Sequence, residues 1–291
     1  DGVGGWRSRG GDPAAFAWEL MSGCRIAAES EPQGTVVRRR SRVRALLSRL
    51  LRRADRLAAD PRSLLDSGFR RMRQSAFGPP TGGCTACLAS LNRTSGVLSI
   101  ANLGDSGALV LRGAQVILES RPQQIDFNYP YQLSVNPDGR IGEITPERAD
   151  VYTTPVQEGD LVILMTDGVL DNLATRYIRK AAELLWDNEP QEIAQGIVNL
   201  AYALSMSEAE SPFSVAARAA GFHYPPHGKE DDITVVVARV EGASANRDGE
   251  EGQKECGKSG RKKKKKATAG ERSDKAIARR RMDELQRRIV R

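Results

Sequence analysis

The chain has 291 residues, 40% hydrophobic and 28% charged, with a formal net charge of +7 and a pI of about 9.4. That length gives one large domain or two small ones with ample core, and no run within these residues approaches the ~18–20 consecutive apolar residues of a membrane-spanning helix. The positive charge suggests nucleic acid only until it is located: residues 241–291 hold 17 basic and 9 acidic side chains, residues 38–73 hold 13 Arg against 3 Asp, and the rest of residues 1–240 holds 14 basic against 25 acidic. A basic average therefore conceals an acidic main body.

In chain order, Asp12-Pro13 predicts a helix start, Asp as N-cap and Pro in the first turn, with Phe16, Leu20, Cys24 and Ala27 at helical spacing to about Ala28. Residues 41–59 carry an apolar stripe (Val43, Leu46, Leu47, Leu50, Leu51) among arginines, and Leu64 to Ala76 predicts a further helix after Pro61. A basic amphipathic helix suits a membrane surface or a partner; packing on a sheet with a solvated Arg face is the plainer account. From Cys84 the periodicity changes to short strands over Thr85–Leu91, Val97–Leu103, Ala108–Arg112 and Gln115–Leu118, read as an antiparallel meander. Arg121 to Asp138 reads as a loop. Strands follow at Asp150–Val156 and Asp160–Thr166, then helices at Ala174–Trp186, Pro190–Met206 and Ser211–Ala220, then a closing strand at Asp232–Val240. Strands, a helical block and a final strand make an α+β arrangement. Residues 241–275 are polar and charged, hence expected to be disordered, and 275–291 suit a short basic helix with Ile277, Met282, Leu285 and Ile289 along one side, marginal without a partner.

Four cysteines (Cys24, Cys84, Cys87, Cys256) are too few for a disulfide framework, and the Cys84/Cys87 pair lacks the second ligand pair of a zinc site. They read as structural thiols. Trp6, Trp18 and Trp186 read as packing residues, and no aromatic side chains interleave the basic runs as a nucleic-acid stacking platform would require.

Aspartates gather at the ends of apolar strands: Asp1-Gly2-Val3-Gly4-Gly5, Gly104-Asp105-Ser106-Gly107, Thr166-Asp167-Gly168-Val169-Leu170-Asp171 and Asp231-Asp232-Ile233-Thr234. One such pair is an ordinary turn. Four of them in an acidic body call for a counter-charge, and hard divalent cations bind carboxylate oxygens.

These four segments, in this order, resemble the metal-ligand motifs of the PPM-type metal-dependent Ser/Thr protein phosphatases. Together with Trp6, Asp12-Pro13, Ala101 to Gly107, Gln123-Gln124, Phe127-Asn128, Gln132-Leu133 and Ser211-Pro212-Phe213, they are similar to the mitochondrial PTC-seven homologue branch over residues 1–240, apart from the Arg-rich insert near 30–62. The resemblance implies a β-sandwich of two antiparallel sheets flanked by helices in α-β-β-α layers, and a catalytic domain over 1–240 followed by a basic tail. It implies Mg²⁺ or Mn²⁺, two per site with a weaker third, held by Asp1, the Gly2 carbonyl, Asp167 and Asp231, with Asp105 and Asp171 at the third position. Asp1, Asp167 and Asp231 would be the catalytic set. Phosphoserine and phosphothreonine in a phosphoprotein would then be hydrolysed by a metal-bridging hydroxide, in a chain that acts as a monomer.

Two departures from the family pattern accompany the likeness. Val3 stands where many members have the His proposed as general acid, with His227, four residues before Asp231, either a replacement or a surface-loop residue. The family also has a Glu-Asp pair and a phosphate-binding Arg on a strand before the first motif, so the resemblance implies an N-terminally truncated chain lacking that strand, with Arg7 as a substitute phosphate contact. The alternatives are a catalytically inactive phosphatase fold that binds acidic partners, and nucleic-acid binding through the tail.

Overall fold

A computed structural model describes residues 1–30, 60–75, 78–242 and 269–289. The Arg-rich stripe over 41–59 and most of the predicted disordered segment lie outside the described residues. Helix α1 (Pro13–Ser30) begins as expected, with the Asp12 carboxylate accepting from Ala15 N at 3.0 Å. Helix α2 (Pro61–Arg73) starts three residues before the predicted Leu64 because Asp60-Pro61 repeats the same device: Asp60 accepts from Ser63 N at 3.2 Å and from its hydroxyl at 2.8 Å. Each such cap is worth about 1 kcal/mol.

The strands are β1 (Gly82–Cys84), β2 (Ala86–Asn92), β3 (Val97–Leu103), β4 (Gly107–Arg112), β5 (Gln115–Glu119), β6 (Gln124–Asp126), β7 (Tyr129–Pro130), β8 (Leu133–Val135), β9 (Asp150–Pro155), β10 (Leu161–Met165) and β11 (Val235–Arg239). They do not form the predicted meander. Strands β2, β3 and β9 make one antiparallel sheet, and β11, β10, β4 and β5 make another, so the chain changes sheets between β3 and β4. The change occurs at Gly104, whose φ of 100° an L side chain rarely adopts. The predicted loop Arg121–Asp138 contains β6 and β7, which pair with each other, and β8, which pairs with β1.

Helices α3 (Asp167–Leu170), α4 (Thr175–Leu184), α5 (Pro190–Ser205) and α6 (Pro212–Ala219) follow β10, and α7 (Ala269–Ile289) closes the chain. Three apolar clusters fix the layers. Leu98 and Ile100 of β3 meet Ala108, Val110 and Val162 of the other sheet. The alternate residues Leu109, Leu111, Leu161 and Ile163 face α4 and α5, while Ala101 and Leu103 face Phe16, Leu20, Leu65 and Phe69 of α1 and α2. Period-two alternation thus buries both faces of β4 and gives the α-β-β-α order. Burial of each Leu or Ile here contributes roughly 1.5–3 kcal/mol.

Helix α7 finds its partner on this body. Ala278, Met282, Leu285 and Ile289 pack against the α4–α5 cluster, whereas Ile277, predicted to share that side, is exposed. The intervals of four, three and four residues place Ala278 on the inner stripe and push Ile277 off it. Trp18, expected to pack, is 77% exposed; Trp6 is buried and donates its indole N–H to Gln132 Oε1 at 2.7 Å. Among the described cysteines, Cys24, Cys84 and Cys87 are free, and burial pushes each thiol up to about 12, as structural thiols require.

Register assembles the functional end of the sandwich. Met165 of β10 pairs with Gly107 on one side and Val235 on the other, so Asp105-Ser106, Thr166-Asp167 and Asp231 to Thr234 all emerge at one sheet end.

Helices α1 and α2 approach closely through glycine. A Cβ on Gly23 would lie 2.6 Å from the Gly68 carbonyl oxygen, and one on Gly68 would lie 2.7 Å from Cys24 N. Gly68→Val is expected to destabilise the fold by roughly 1–3 kcal/mol. Urea unfolding measures this, and an unchanged midpoint would contradict the close crossing.

Candidate metal centre

Asp167 stands at the first position of α3, directly beyond β10. The Thr166 hydroxyl donates to Asp232 O at 3.0 Å and accepts from Thr234 N at 2.9 Å, locking the end of β10 to the segment before β11. Gly168 permits this contact, because a Cβ there would lie 2.5 Å from Asp232 O. Asn172 joins the same pieces from the other side. Its amide donates to Gly168 O at 2.9 Å and Lys229 O at 2.8 Å, and its oxygen accepts from Lys229 N at 2.9 Å. The side chain is buried with both ends satisfied, so it fixes the distance between α3 and the Lys229–Asp231 turn.

The outcome is a carboxylate trio. Asp167, Asp171 and Asp231 each present an oxygen within 4.8 Å of the others. Asp105 stands beside them at the sheet change, its Oδ2 accepting from Gln124 Nε2 at 3.1 Å. Asp1 and Asp105 do not join the trio. The Asp1–Val3 segment instead runs beside β1: Thr85 N donates to Asp1 O and Val3 N donates to Gly83 O, both at 2.9 Å, and Gly2 bridges to Cys84. Gly2 and Asp231 nevertheless line one cleft of about 380 Å³, together with Arg7, Tyr202 and Glu230. His227 turns away from the role suggested for it. Its ring lies 4.5 Å from that of Tyr224 and its Nδ1 contacts the Gly228 carbonyl.

One residue was not anticipated. Lys229, 16% exposed, places Nζ 3.1 Å from Asp167, 2.5 Å from Asp171 and 3.0 Å from Asp231. The sequence signal was a lone Lys two residues before Asp231 in Lys229-Glu230-Asp231, easily overlooked beside the long basic runs. Burial acts to lower its pKa, but Asp171, Asp167 and Asp231 together outweigh it and hold the ammonium above its ordinary value. Burial first, and then the neighbouring Asp167, lifts Asp105 to about 6; burial, opposed by Lys229 and aided by Asp167, lifts Asp171 to about 7.

Comparison with known proteins fits this geometry. The Stage II sporulation protein E (SpoIIE) family model matches residues 35–241. The Drosophila grimshawi protein phosphatase PTC7 homolog fig is 37% identical over 249 residues, covering 83% of this chain and 73% of the relative. The chain belongs to the PTC7 branch of the PPM-type protein phosphatases. The Drosophila melanogaster PTC7 homolog fig is 36% identical over 248 residues, covering 83% of this chain and 71% of the relative. Among solved structures, the photosystem II phosphatase PBCP superposes with a TM-score of 0.63 at 30% identity, covering 83% of this chain and 85% of that one. The PTC7-type fold therefore accounts for the two antiparallel sheets flanked by helices.

The raised carboxylates set a pH dependence for the metal-free PTC7-type protein. Asp105 and Asp171 keep protons in the folded state that the unfolded chain releases near its ordinary carboxylate pKa. Stability in EDTA is expected to rise as pH falls from about 8 to about 5, by on the order of 1–3 kcal/mol. Urea midpoints across that range measure it; a flat profile would contradict the crowding of these groups.

Proposed function

We propose that this chain is a metal-dependent serine/threonine phosphatase that hydrolyses phosphoserine and phosphothreonine in a phosphoprotein. The observation that carries this reading is the carboxylate trio with Asp231 opening into the cleft that Gly2 and Arg7 also line. The donor set is all oxygen, hard and net negative even with Lys229 counted, and it fits Mg²⁺ or Mn²⁺ better than a soft metal. Asp1, the Gly2 carbonyl, Asp167 and Asp231 would hold the ions, and Asp105 and Asp171 would stand behind them. Bound divalent ions would lower the pKa of a water for in-line attack and offset the charge of the phosphoryl group.

The chain's own residues do the rest. Arg7 offers a fork of N–H donors to the phosphate oxygens from the wall of the cleft. Its place is set by the 3-10 turn Gly4–Arg9, which Trp6 anchors to Gln132. Asn172 and Thr166 keep the carboxylate-bearing segments in register, so that the acids converge around Lys229. Tyr202 and Met206 are largely exposed on the same wall and offer apolar surface to the residues flanking a phosphorylated side chain. The branch supports a mitochondrial substrate.

Replacing a metal-holding acid should cost more than the ~10–100-fold typical of a supporting partner. Asp167→Asn is therefore expected to lower kcat on a phosphothreonine peptide with Mn²⁺ by roughly a hundredfold or more while the protein remains folded by circular dichroism. Equal rates would sink the metal-centre reading. Arg7→Ala is expected to raise KM about tenfold with a smaller change in kcat, because it removes a contact to the phosphate that is already present in the ground state. Steady-state kinetics on the same peptide separate the two effects.

A further inference from the structure

Lys229 is held as firmly as the acids that it touches. Its backbone N–H and C=O are both bound by Asn172, so the side chain leaves the turn in one direction. Its ammonium then meets four oxygens: Oδ2 of Asp167, Asp171 and Asp231, and Asn128 Oδ1 at 3.3 Å. The ring of Phe213 covers it at 4.8 Å. Asn128 reaches this position with a φ of 54°, a backbone conformation that few non-glycine residues adopt.

An ammonium has three N–H donors, so four oxygens around it are a cation's surroundings rather than a surface ion pair. A divalent ion of the Mg²⁺ type needs oxygens at about 2.0–2.1 Å and cannot share a point among these carboxylates with a group already 2.5–3.1 Å from them.

We propose that the Lys229 ammonium is a resident cation of this centre: it takes the position among Asp167, Asp171 and Asp231 that a further divalent ion would otherwise occupy. Exchangeable ions are then confined to the cleft side, where Gly2 and Asp231 lie. Asp171 serves the ammonium rather than a metal, and its carboxylate is present because Lys229 needs it. The proposal rests on the phosphatase reading above, and it sets how many ions the phosphatase can hold.

The test counts Mn²⁺ bound to the EDTA-stripped and desalted full chain by electron paramagnetic resonance of the free ion. Lys229→Met is expected to bind one Mn²⁺ per chain more than the wild type, and Lys229→Arg the wild-type number. Asp171→Asn, which keeps shape and leaves Lys229 in place, is also expected to keep the wild-type number. An unchanged count in Lys229→Met, or a count one lower in Asp171→Asn, overturns the proposal. The second result decides the matter if Lys229→Met does not fold.

Thermal melting gives an independent readout. In EDTA, Lys229→Met should melt below the wild type, and Mn²⁺ should raise its Tm by more than it raises that of the wild type. Equal losses with and without Mn²⁺ would make Lys229 a packing residue only and reject the proposal. A wild-type chain that binds no Mn²⁺ at all would remove the metal-centre reading along with it, an outcome distinct from binding without the extra ion.

Discussion

Mutual repulsion among carboxylates is the constraint around which this molecule is organised. Three acid oxygens within 4.8 Å of one another, with Asp105 beside them, would drive the sheet end apart unless a positive charge stood among them. Lys229 supplies that charge from the turn that also carries Asp231. Burying an ammonium is costly by itself, and three carboxylates, an amide oxygen and an aromatic face offset the cost. Acids and lysine are therefore each tolerable only because of the other, and the sandwich is built to bring them together.

The sheets accomplish this through register rather than through long loops. Strand β10 sits between β4 and β11, and its last residue, Met165, pairs with Gly107 and Val235. Everything just beyond those pairs must appear at one edge. The change of sheet at Gly104 matters for the same reason: it turns β3 into β4 at the point where Asp105 must face the trio rather than continue along a strand. Leu98 and Ile100 against Val110 and Val162 then hold the two sheets at a fixed spacing.

Much of this was legible in the sequence, for identifiable reasons. Nearly every helix and long strand fell where apolar periodicity placed it, because such faces have one way to be buried. The partners of the strands were not legible. β2–β3 and β4–β5 each read as a hairpin, and nothing local distinguishes one four-stranded meander from two hairpins in different sheets; the φ of Gly104 decides it, and glycine alone does not announce its φ. The acidic site was legible from Asp105, Asp167, Asp171 and Asp231 as turn residues at strand ends. Its cation was not, since Lys229 belongs to no periodic pattern and is functional only through side chains distant in sequence. In α7 the spacing was legible but not the phase: the inner stripe begins at Ala278, a small residue whose burial no hydrophobicity count would favour over that of Ile277.

Lys229 apart, the groups that hold this geometry are neutral, and that division of labour has a physical basis. Asn172, Thr166 and Gln132 fix α3, the Lys229–Asp231 turn and the first turn through hydrogen bonds between uncharged groups, which do not depend on protonation. Charged struts in those places would compete with the acids for any incoming ion and would shift whenever one arrived or left. A frame of amides and hydroxyls keeps its shape while the charge on the cleft side changes, so ions can come and go there without reorganising the fold that positions the acids. The same reasoning explains why the charge pair of the half-exposed Arg112 with the buried Asp160 ties the far end of β10 to β4 and not the end where the acids converge.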